Sequence, residues 1–338
     1  MQALTPLAPA GAAVPLRVII QIPCFNEEAQ LPEAVSAIRA ALAQAPDLPD
    51  GRPLRWEILV VDDGSSDRTL AVAATLGVEH VVAHGVNRGL ATAFQTGVAE
   101  ALRLGADVIV NTDADNQYDA RDLLALVRPI LERQADIVIG ARPIDSHQEF
   151  SVSKKLFQKI GSSVVRLVSQ TPVLDAPSGF RALSRHAAAR INIYDDYTYT
   201  LESIIQAGLN GLRVVSVPIR VNPSTRPSRL VRSSGDYIRR STTAILRTLL
   251  IYRAEKITLF LAGVLLAASS VLFLRWIYLW LEDSPRSHVP SLIFAAVMFL
   301  TALQLLAISY VSLLSGINRR LSEQLLALQR DRSGGAGR

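Results

Sequence analysis

Two carboxylates two residues apart, then a carboxamide two further on, close a short apolar run. Asp113-Ala114-Asp115-Asn116-Gln117 follows Ala106-Asp-Val-Ile-Val110 after two linking residues. Alternation along an extended segment puts Asp113, Asp115 and Gln117 on one side. Oxygen ligands converging on one point suit Mg²⁺ or Mn²⁺, above all where phosphate oxygens complete the shell. The same residues also read as an acidic loop whose Asp119 caps the next helix. Two more polar clusters sit at strand ends, Ile22-Pro23-Cys24-Phe25-Asn26-Glu27-Glu28 and Val61-Asp62-Asp63-Gly64-Ser65-Ser66-Asp67. Each has an ordinary reading as well: Glu27 and Glu28 complement a helix dipole, and Asp62-Asp63-Gly64 makes a turn. In an open parallel sheet ligands collect beyond the carboxyl ends of the strands, so all three acidic ends are expected to face one crevice. Such a crevice suits recognition of hydroxyls and a base, plus a metal. The chain has no glycine pattern of the P-loop or dinucleotide-binding kind to cradle phosphate directly.

Positioning these groups requires strands and helices in alternation. Apolar runs predict strands at 16–22, 56–61, 80–83, 106–111 and 136–140. Helical spacing predicts helices at 27–43, 67–76, 90–104 and 119–133, with Asp67 and Asp119 as caps. The stretch 45–53, with three prolines and a glycine, reads as a loop. Val- and Ile-rich strands between amphipathic helices argue for an α/β domain with a mostly parallel sheet covered on both faces. There is no internal repeat.

The chain's 338 residues hold one such domain and an appendage. Hydrophobic residues make up 49% and charged ones 19%, and the apolar excess gathers toward the C-terminus. Segments 257–274 and 289–317 contain no charge, and each is near the ~20 residues that cross a bilayer. Before them, residues 237–252 place Ile238, Ile245, Leu249 and Tyr252 on one stripe. That pattern fits a helix lying in the membrane interface or one packed on the domain. Arg275 lies among Trp276, Tyr278 and Trp280, an aromatic belt. Arg220, Arg226, Arg229, Arg232, Arg239 and Arg240 precede the spans, and Arg319, Arg320, Arg330, Arg332 and Arg338 follow them. The loop between them carries two acids and one Arg. The positive-inside rule then puts the domain and both termini on the cytoplasmic side of the inner (plasma) membrane. The expected divisions are a flexible 1–15, a domain at 16–216, a basic juxtamembrane segment at 217–256, spans at 257–281 and 289–317, and a basic tail at 318–338. The single cysteine, Cys24, rules out an intrachain disulfide and a cysteine-rich zinc site. The Ala/Pro-rich start does not read as a signal peptide. Net charge of +5 admits an anionic substrate, a membrane surface or nucleic acid, but no aromatics interleave the basic run as single-strand binding needs.

The ordered set Pro23-x-Phe25-Asn26-Glu27, Val61-Asp62-Asp63-Gly64-Ser65, Asn87-Arg88-Gly89, Asp113-Ala-Asp115-x-Gln117, Gly140-Ala-Arg142 and Asp175-Ala-Pro-Ser178-Gly179-Phe180-Arg181 resembles family-2 glycosyltransferases. Within them it is similar to the dolichol-phosphate mannosyltransferase and bacterial polyprenyl-phosphate glycosyltransferase branch, over roughly residues 16–330. The resemblance implies a GT-A, Rossmann-like fold and an inverting transfer from a UDP- or GDP-linked sugar to a polyprenyl phosphate. Pro23, Phe25, Glu27, Asp62 and Asp63 would line the nucleotide pocket together with Ala114. Asp113, Asp115 and Gln117 would contact Mg²⁺ or Mn²⁺ and the diphosphate, and Arg142 would meet the phosphate region. Lys155 falls where this branch often carries an Arg for the lipid phosphate; Lys offers a point charge without the bidentate fork. Asn116 departs from the apolar residue frequent at its position.

The chemistry fits these residue types. A sugar–diphosphate bond breaks through an oxocarbenium-like state while charge builds on the leaving group, which a divalent cation neutralises. A phosphate acceptor is already anionic, so no strong general base is needed, and none of the five histidines lies in the motifs. Asp175 is expected either to orient the acceptor, to act as a weak base, or to cap its own loop. Arg181 is expected to hold the acceptor phosphate, and Glu202 to face the sugar or a helix surface. A processive polysaccharide synthase shares the front motifs but resembles its kin in Gln-x-x-Arg-Trp, where this chain has Leu272 before Arg275-Trp276. A membrane-bound sugar-nucleotide-binding protein would be expected to lose its metal ligands, and Asp113, Asp115 and Gln117 are present. Two spans per chain also leave self-association open.

Overall fold

The computed structural model describes residues 15–44, 52–143, 162–163, 165–166, 169–193, 199–223, 234–282 and 289–335. Lys155 and the arginines at 226, 229 and 232 lie outside the described residues, as does most of the expected 45–53 loop. The first element, β1 (Leu16–Cys24), is followed by α1 (Leu31–Ala43), β2 (Leu54–Asp62), α2 (Thr69–Thr75), β3 (His80–Ala83), α3 (Leu90–Arg103) and β4 (Val108–Asn111). A 3₁₀ turn at Ala120–Asp122 leads into α4 (Leu123–Leu131), then come β5 (Ile137–Ala141), β6 (Arg181–Ser184), α5 (Arg185–Arg190), α6 (Tyr199–Leu209) and β7 (Val214–Pro218). Two long helices end the chain, α7 (Ser234–Leu281) and α8 (Val289–Gly335).

Seven strands form one sheet in the order β3-β2-β1-β4-β6-β5-β7. All pairings are parallel except those of β6, which runs antiparallel between β4 and β5. Strand β1 sends Val18, Ile20 and Ile22 into one core and Ile19 into the other, so helices cover both faces. The α/β class and the five front strands are as expected. Strands β6 and β7 are not, because a run opening on a buried arginine and a five-residue run of mixed exposure have no distinctive pattern. The consequence for the site is large. Strand β6 pairs Asn111 with Arg181 and brings the loop 175–180 alongside the end of β4.

Asp119 accepts the Arg121 backbone N–H at 2.9 Å, the capping geometry anticipated for it, whereas Asp67 accepts that of Thr69 at 2.9 Å from one position before the N-cap of α2, which is Arg68. The expected helix at 237–252 and the first apolar segment form one element, broken only at Arg253, where φ is −133°.

By internal packing the chain divides into residues 1–245 with 326–338, and residues 246–325. In the first unit Ala327 is part of the core, and Arg330 donates to the carbonyls of Ala189 and Ile191 at the end of α5. In the second unit, α7 and α8 meet along small residues seven apart. Ala262 and Ser269 of α7 are buried, as are Ala295, Ala302 and Ser309 of α8. Ser269 Oγ donates to Ala295 O at 2.8 Å and Ser309 Oγ to Glu255 O at 2.9 Å, which fixes an antiparallel register. Small residues and hydroxyl-to-carbonyl bonds are how helices associate where no hydrophobic effect drives them together. Stretches Arg253–Leu281 and Val289–Arg330 are long and apolar enough to cross a bilayer, with mean hydropathy 2.4 and 2.3. Only 11% of each most apolar stretch is buried, unlike the core helix of a water-soluble domain.

Candidate active site

The loops after β1 and β2 are stitched together by Asn26, which takes a left-handed backbone (φ 57°) that Asn tolerates. Its Oδ1 accepts the N–H groups of Ser66 (2.8 Å) and Asp67 (3.3 Å), while its own N–H donates to Ser65 Oγ (2.9 Å). Glu27 N–H donates to Thr69 Oγ1 at 2.8 Å. These bonds hold Glu27 and Asp62, both buried, at one edge beside Pro23, whose partner in β2 is Val61. Burial pushes the Cys24 thiol well up, and Glu27, Asp62 and Asp113 push it further. The three acidic strand ends thus converge on the β1/β4 edge, where strand order reverses. Phe25 is exposed at this edge, and Asp62 Oδ1 is buried without a hydrogen-bond donor. Asn26 carries its neighbours' geometry, a role that its place between Phe25 and Glu27 in the sequence gives no local sign of.

Asp63, expected in the nucleotide pocket, is engaged within the protein. Its Oδ1 meets His84 Nδ1 at 2.7 Å and accepts the Arg88 N–H at 3.0 Å, and its Oδ2 accepts the Gly89 N–H at 2.8 Å. It shapes the Asn87-Arg88-Gly89 loop.

Beyond β4, Asp113 keeps part of its surface open while its carboxyl lies deep. Burial first, then Asp115, pushes this carboxyl up to about 7, against the pull of Arg142 and Arg181. Asp115 Oδ1 accepts the Gln117 N–H at 3.1 Å, and both residues remain partly exposed. Asn116 is left-handed (φ 53°), and Asn222 ties the turn down, giving its side-chain N–H to Asn116 O and its backbone N–H to Gln117 O, both at 2.8 Å. Two carboxylates with a carboxamide nearby fit Mg²⁺ or Mn²⁺ that takes its remaining oxygens from phosphate and water. Among the described residues no group of three or more His, Cys, Asp or Glu forms a closed cage. The Asp113 carboxyl is raised first by burial and then by the charge of Asp115.

Strand β6 brings in the remaining groups. Arg142 Nε and one terminal N–H of its guanidinium donate to Asp175 at 2.7 and 3.0 Å, a bidentate pair with Asp175 fully buried and Arg142 nearly so. Asp175 therefore lies beneath the surface as the partner of Arg142, which leaves the orienting and base readings without a route to an acceptor in this conformation. Arg181, expected on the acceptor phosphate, is fully buried too. It donates to Thr200 O (3.2 Å), to Ser203 Oγ (2.6 Å) and to the Ser178 carbonyl, with its guanidinium 5.2 Å above the Tyr199 ring. Glu202 is buried and accepts from Gln206 Nε2 at 3.2 Å. Removing Asp175 would take from the Arg142 guanidinium its fully buried bidentate partner. Asp175→Ala is expected to lower stability by about 3–5 kcal/mol, read as a fall in melting temperature. The acidic limb of the pH–rate profile of what remains active should stay in place; its loss would restore Asp175 as a base.

The glycosyl transferase family 2 model matches residues 19–191, just over half of the chain. Polyprenol monophosphomannose synthase of Mycolicibacterium smegmatis is 28% identical over 242 residues, 68% of this chain and 86% of that protein. UDP-N-acetylglucosamine–dolichyl-phosphate N-acetylglucosaminyltransferase of Methanococcus voltae is 28% identical over 226 residues, 60% of this chain and 84% of that one. Glucosyl-3-phosphoglycerate synthase of Mycobacterium tuberculosis, crystallised with Mn²⁺, UDP and glucosyl-3-phosphoglycerate, matches with a TM-score of 0.51. Its identity is 20%, over 70% of this chain and 79% of that chain, a likeness of fold.

Proposed function

This chain belongs to glycosyl transferase family 2 and is a glycosyltransferase, and we propose that it moves a sugar from a nucleotide-sugar donor onto a polyprenyl phosphate. The observation that carries this reading is the gathering of Glu27, Asp62, Asp113 and Asp115 at the carboxyl edge of a parallel sheet. The same chain has two helices of bilayer length. Two relatives whose names specify a polyprenol or dolichyl phosphate, with different sugars, support the acceptor class.

In this mechanism the donor's base and ribose rest against Phe25, Glu27 and Asp62, whose unpaired buried Oδ1 awaits a donor N–H or O–H. Asp113, Asp115 and Gln117 would hold Mg²⁺ or Mn²⁺, which when bound neutralises charge on the leaving diphosphate. An oxygen of the lipid phosphate attacks the anomeric carbon from the opposite face as the bond to the diphosphate breaks, so the configuration inverts. The acceptor arrives as an anion, so no protein base is required. Helices α7 and α8 would anchor the enzyme where lipid phosphate and soluble donor meet, and the arginines flanking the spans favour the cytoplasmic side of the inner membrane.

The test is transfer by membranes containing the full chain, given radiolabelled UDP- and GDP-linked sugars and polyprenyl phosphate. Mannose and N-acetylglucosamine donors belong in the panel. We expect a chloroform-extractable glycolipid that EDTA abolishes and Mg²⁺ or Mn²⁺ restores. Label passing only to a polymer would refute the acceptor; label unaffected by EDTA would refute the metal.

A further inference from the structure

A buried polar chain runs under the metal edge, and nothing in the transfer mechanism above uses it. Gln21 in the middle of β1 and Asn111 at the end of β4 are fully buried in otherwise apolar runs. Gln21 Nε2 donates to Asn111 Oδ1 at 2.9 Å, and Asn111 Nδ2 donates to both Gly179 O and the Tyr199 hydroxyl, each at 2.9 Å. Tyr199 opens α6 and is itself buried, its ring stacked on Phe94 with centroids 3.9 Å apart. Burying amides and a phenol where leucine and phenylalanine would pack demands an offsetting use, since each must find every partner inside the protein.

The use is visible at Gly179. A Cβ there would lie 3.0 Å from the Tyr199 hydroxyl and 3.2 Å from both carboxylate oxygens of Asp113. The hydroxyl and the carboxylate therefore share the space above one glycine. The Gly179 N–H is fixed from the other side, donating to the Tyr118 hydroxyl at 3.0 Å. We propose that Tyr199 is a positioning residue for the metal carboxylate. Through Asn111, its hydroxyl locks the Gly179 segment against Asp113 and sets where that carboxylate sits. Residues of this kind hold the orientation of a metal ligand without touching the metal, and their loss typically weakens metal binding or activity by about 10–100-fold. The inference rests on the reading of Asp113 as a metal ligand.

Tyr199→Phe keeps the ring, the stack on Phe94 and the burial, and removes only the hydroxyl. The measurement is Mn²⁺ binding to the full-length protein in detergent with a nucleoside diphosphate present, followed by the EPR signal of free Mn²⁺. Turnover against Mn²⁺ concentration runs in parallel. We expect Mn²⁺ affinity to fall by about tenfold or more and half-maximal turnover to need correspondingly more metal, with the donor KM at saturating metal unchanged. Wild-type Mn²⁺ affinity and metal dependence in Tyr199→Phe would overturn the proposal, whatever its melting temperature. Gly179→Ala supplies the second arm. Its methyl crowds hydroxyl and carboxylate together, so it should weaken Mn²⁺ binding more in the Tyr199 protein than in the Tyr199→Phe background. Equal effects in both backgrounds would count against the coupling. A wild-type protein that binds no Mn²⁺ would fail the metal reading itself, and this inference with it, a result distinct from a variant that behaves like the wild type.

Discussion

Asp115→Ala is expected to reduce sugar transfer by about a thousandfold or more, the equivalent of roughly 4 kcal/mol of lost transition-state stabilisation. The protein should still fold and enter the membrane. Asp115 is partly exposed, and among the described residues its side-chain hydrogen bond is local, from the Gln117 N–H, so its removal leaves no buried group stranded. What it takes away is one of the two carboxylates proposed to hold the metal beside the leaving diphosphate. Asp115→Asn separates charge from shape, because the amide preserves the turn's hydrogen bond and loses the anion. Both variants should fail alike, with Mn²⁺ affinity falling alongside turnover. The assay is glycolipid formation per mole of membrane-inserted protein, and turnover within tenfold of wild type in either variant would remove Asp115 from the metal site.

The front half of the fold and the acidic edge were legible because their physics is local. Buried parallel strands must be runs of Val, Ile and Leu, as the cores of β1, β2, β4 and β5 are, while the half-exposed β3 shows only its Val81-Val82 pair. Polar residues close such runs at Glu27, Asp62 and Asp113. The C-terminal helices were equally legible, since uncharged stretches of bilayer length need no tertiary context. What stayed hidden depends on contacts between residues far apart in the chain. Arg142 and Asp175 stand 33 positions apart and meet only because β6 inserts antiparallel between β4 and β5. Arg181 opens that strand, so its side chain is carried into the core and not toward an acceptor. Motif order named all three residues, and only the register of β6 decided which partners each of them meets. Asp63 beside Asp62 makes the same point: neighbours on a strand point to opposite faces, so one carboxylate can face the pocket while the next organises a loop. Gln21 and Asn111 did carry a signal, as amides inside apolar strands, but the signal names a buried network without naming its far end at Tyr199.

The charge arrangement is the physical argument for the cation proposed there. Arg142 is already paired with Asp175, and Arg181 spends its donors on carbonyls and a hydroxyl, so both compensate Asp113 only from a distance. The edge therefore holds a carboxylate disfavoured by burial and by its neighbour Asp115, and this has a measurable sign. Burial and then Asp115 push the Asp113 carboxyl from its ordinary 3.8 up to about 7. Between those values the folded state binds the extra proton, so the carboxylate costs nothing below about pH 4. Its penalty grows as pH rises and is complete above about 7. Asp113→Asn abolishes the penalty at every pH. In EDTA the variant should match the wild type at low pH and exceed it at pH 8 by about 2–4 kcal/mol, several degrees in melting temperature. Mn²⁺ with a nucleoside diphosphate should then stabilise the wild type and leave the variant unmoved, while transfer by the variant is lost. Melting curves from pH 4.5 to 8.5, with and without metal, decide it. A stability difference that stays flat across that range, or a variant less stable than wild type at pH 8, would mean that Asp113 is not a carboxylate waiting for a cation.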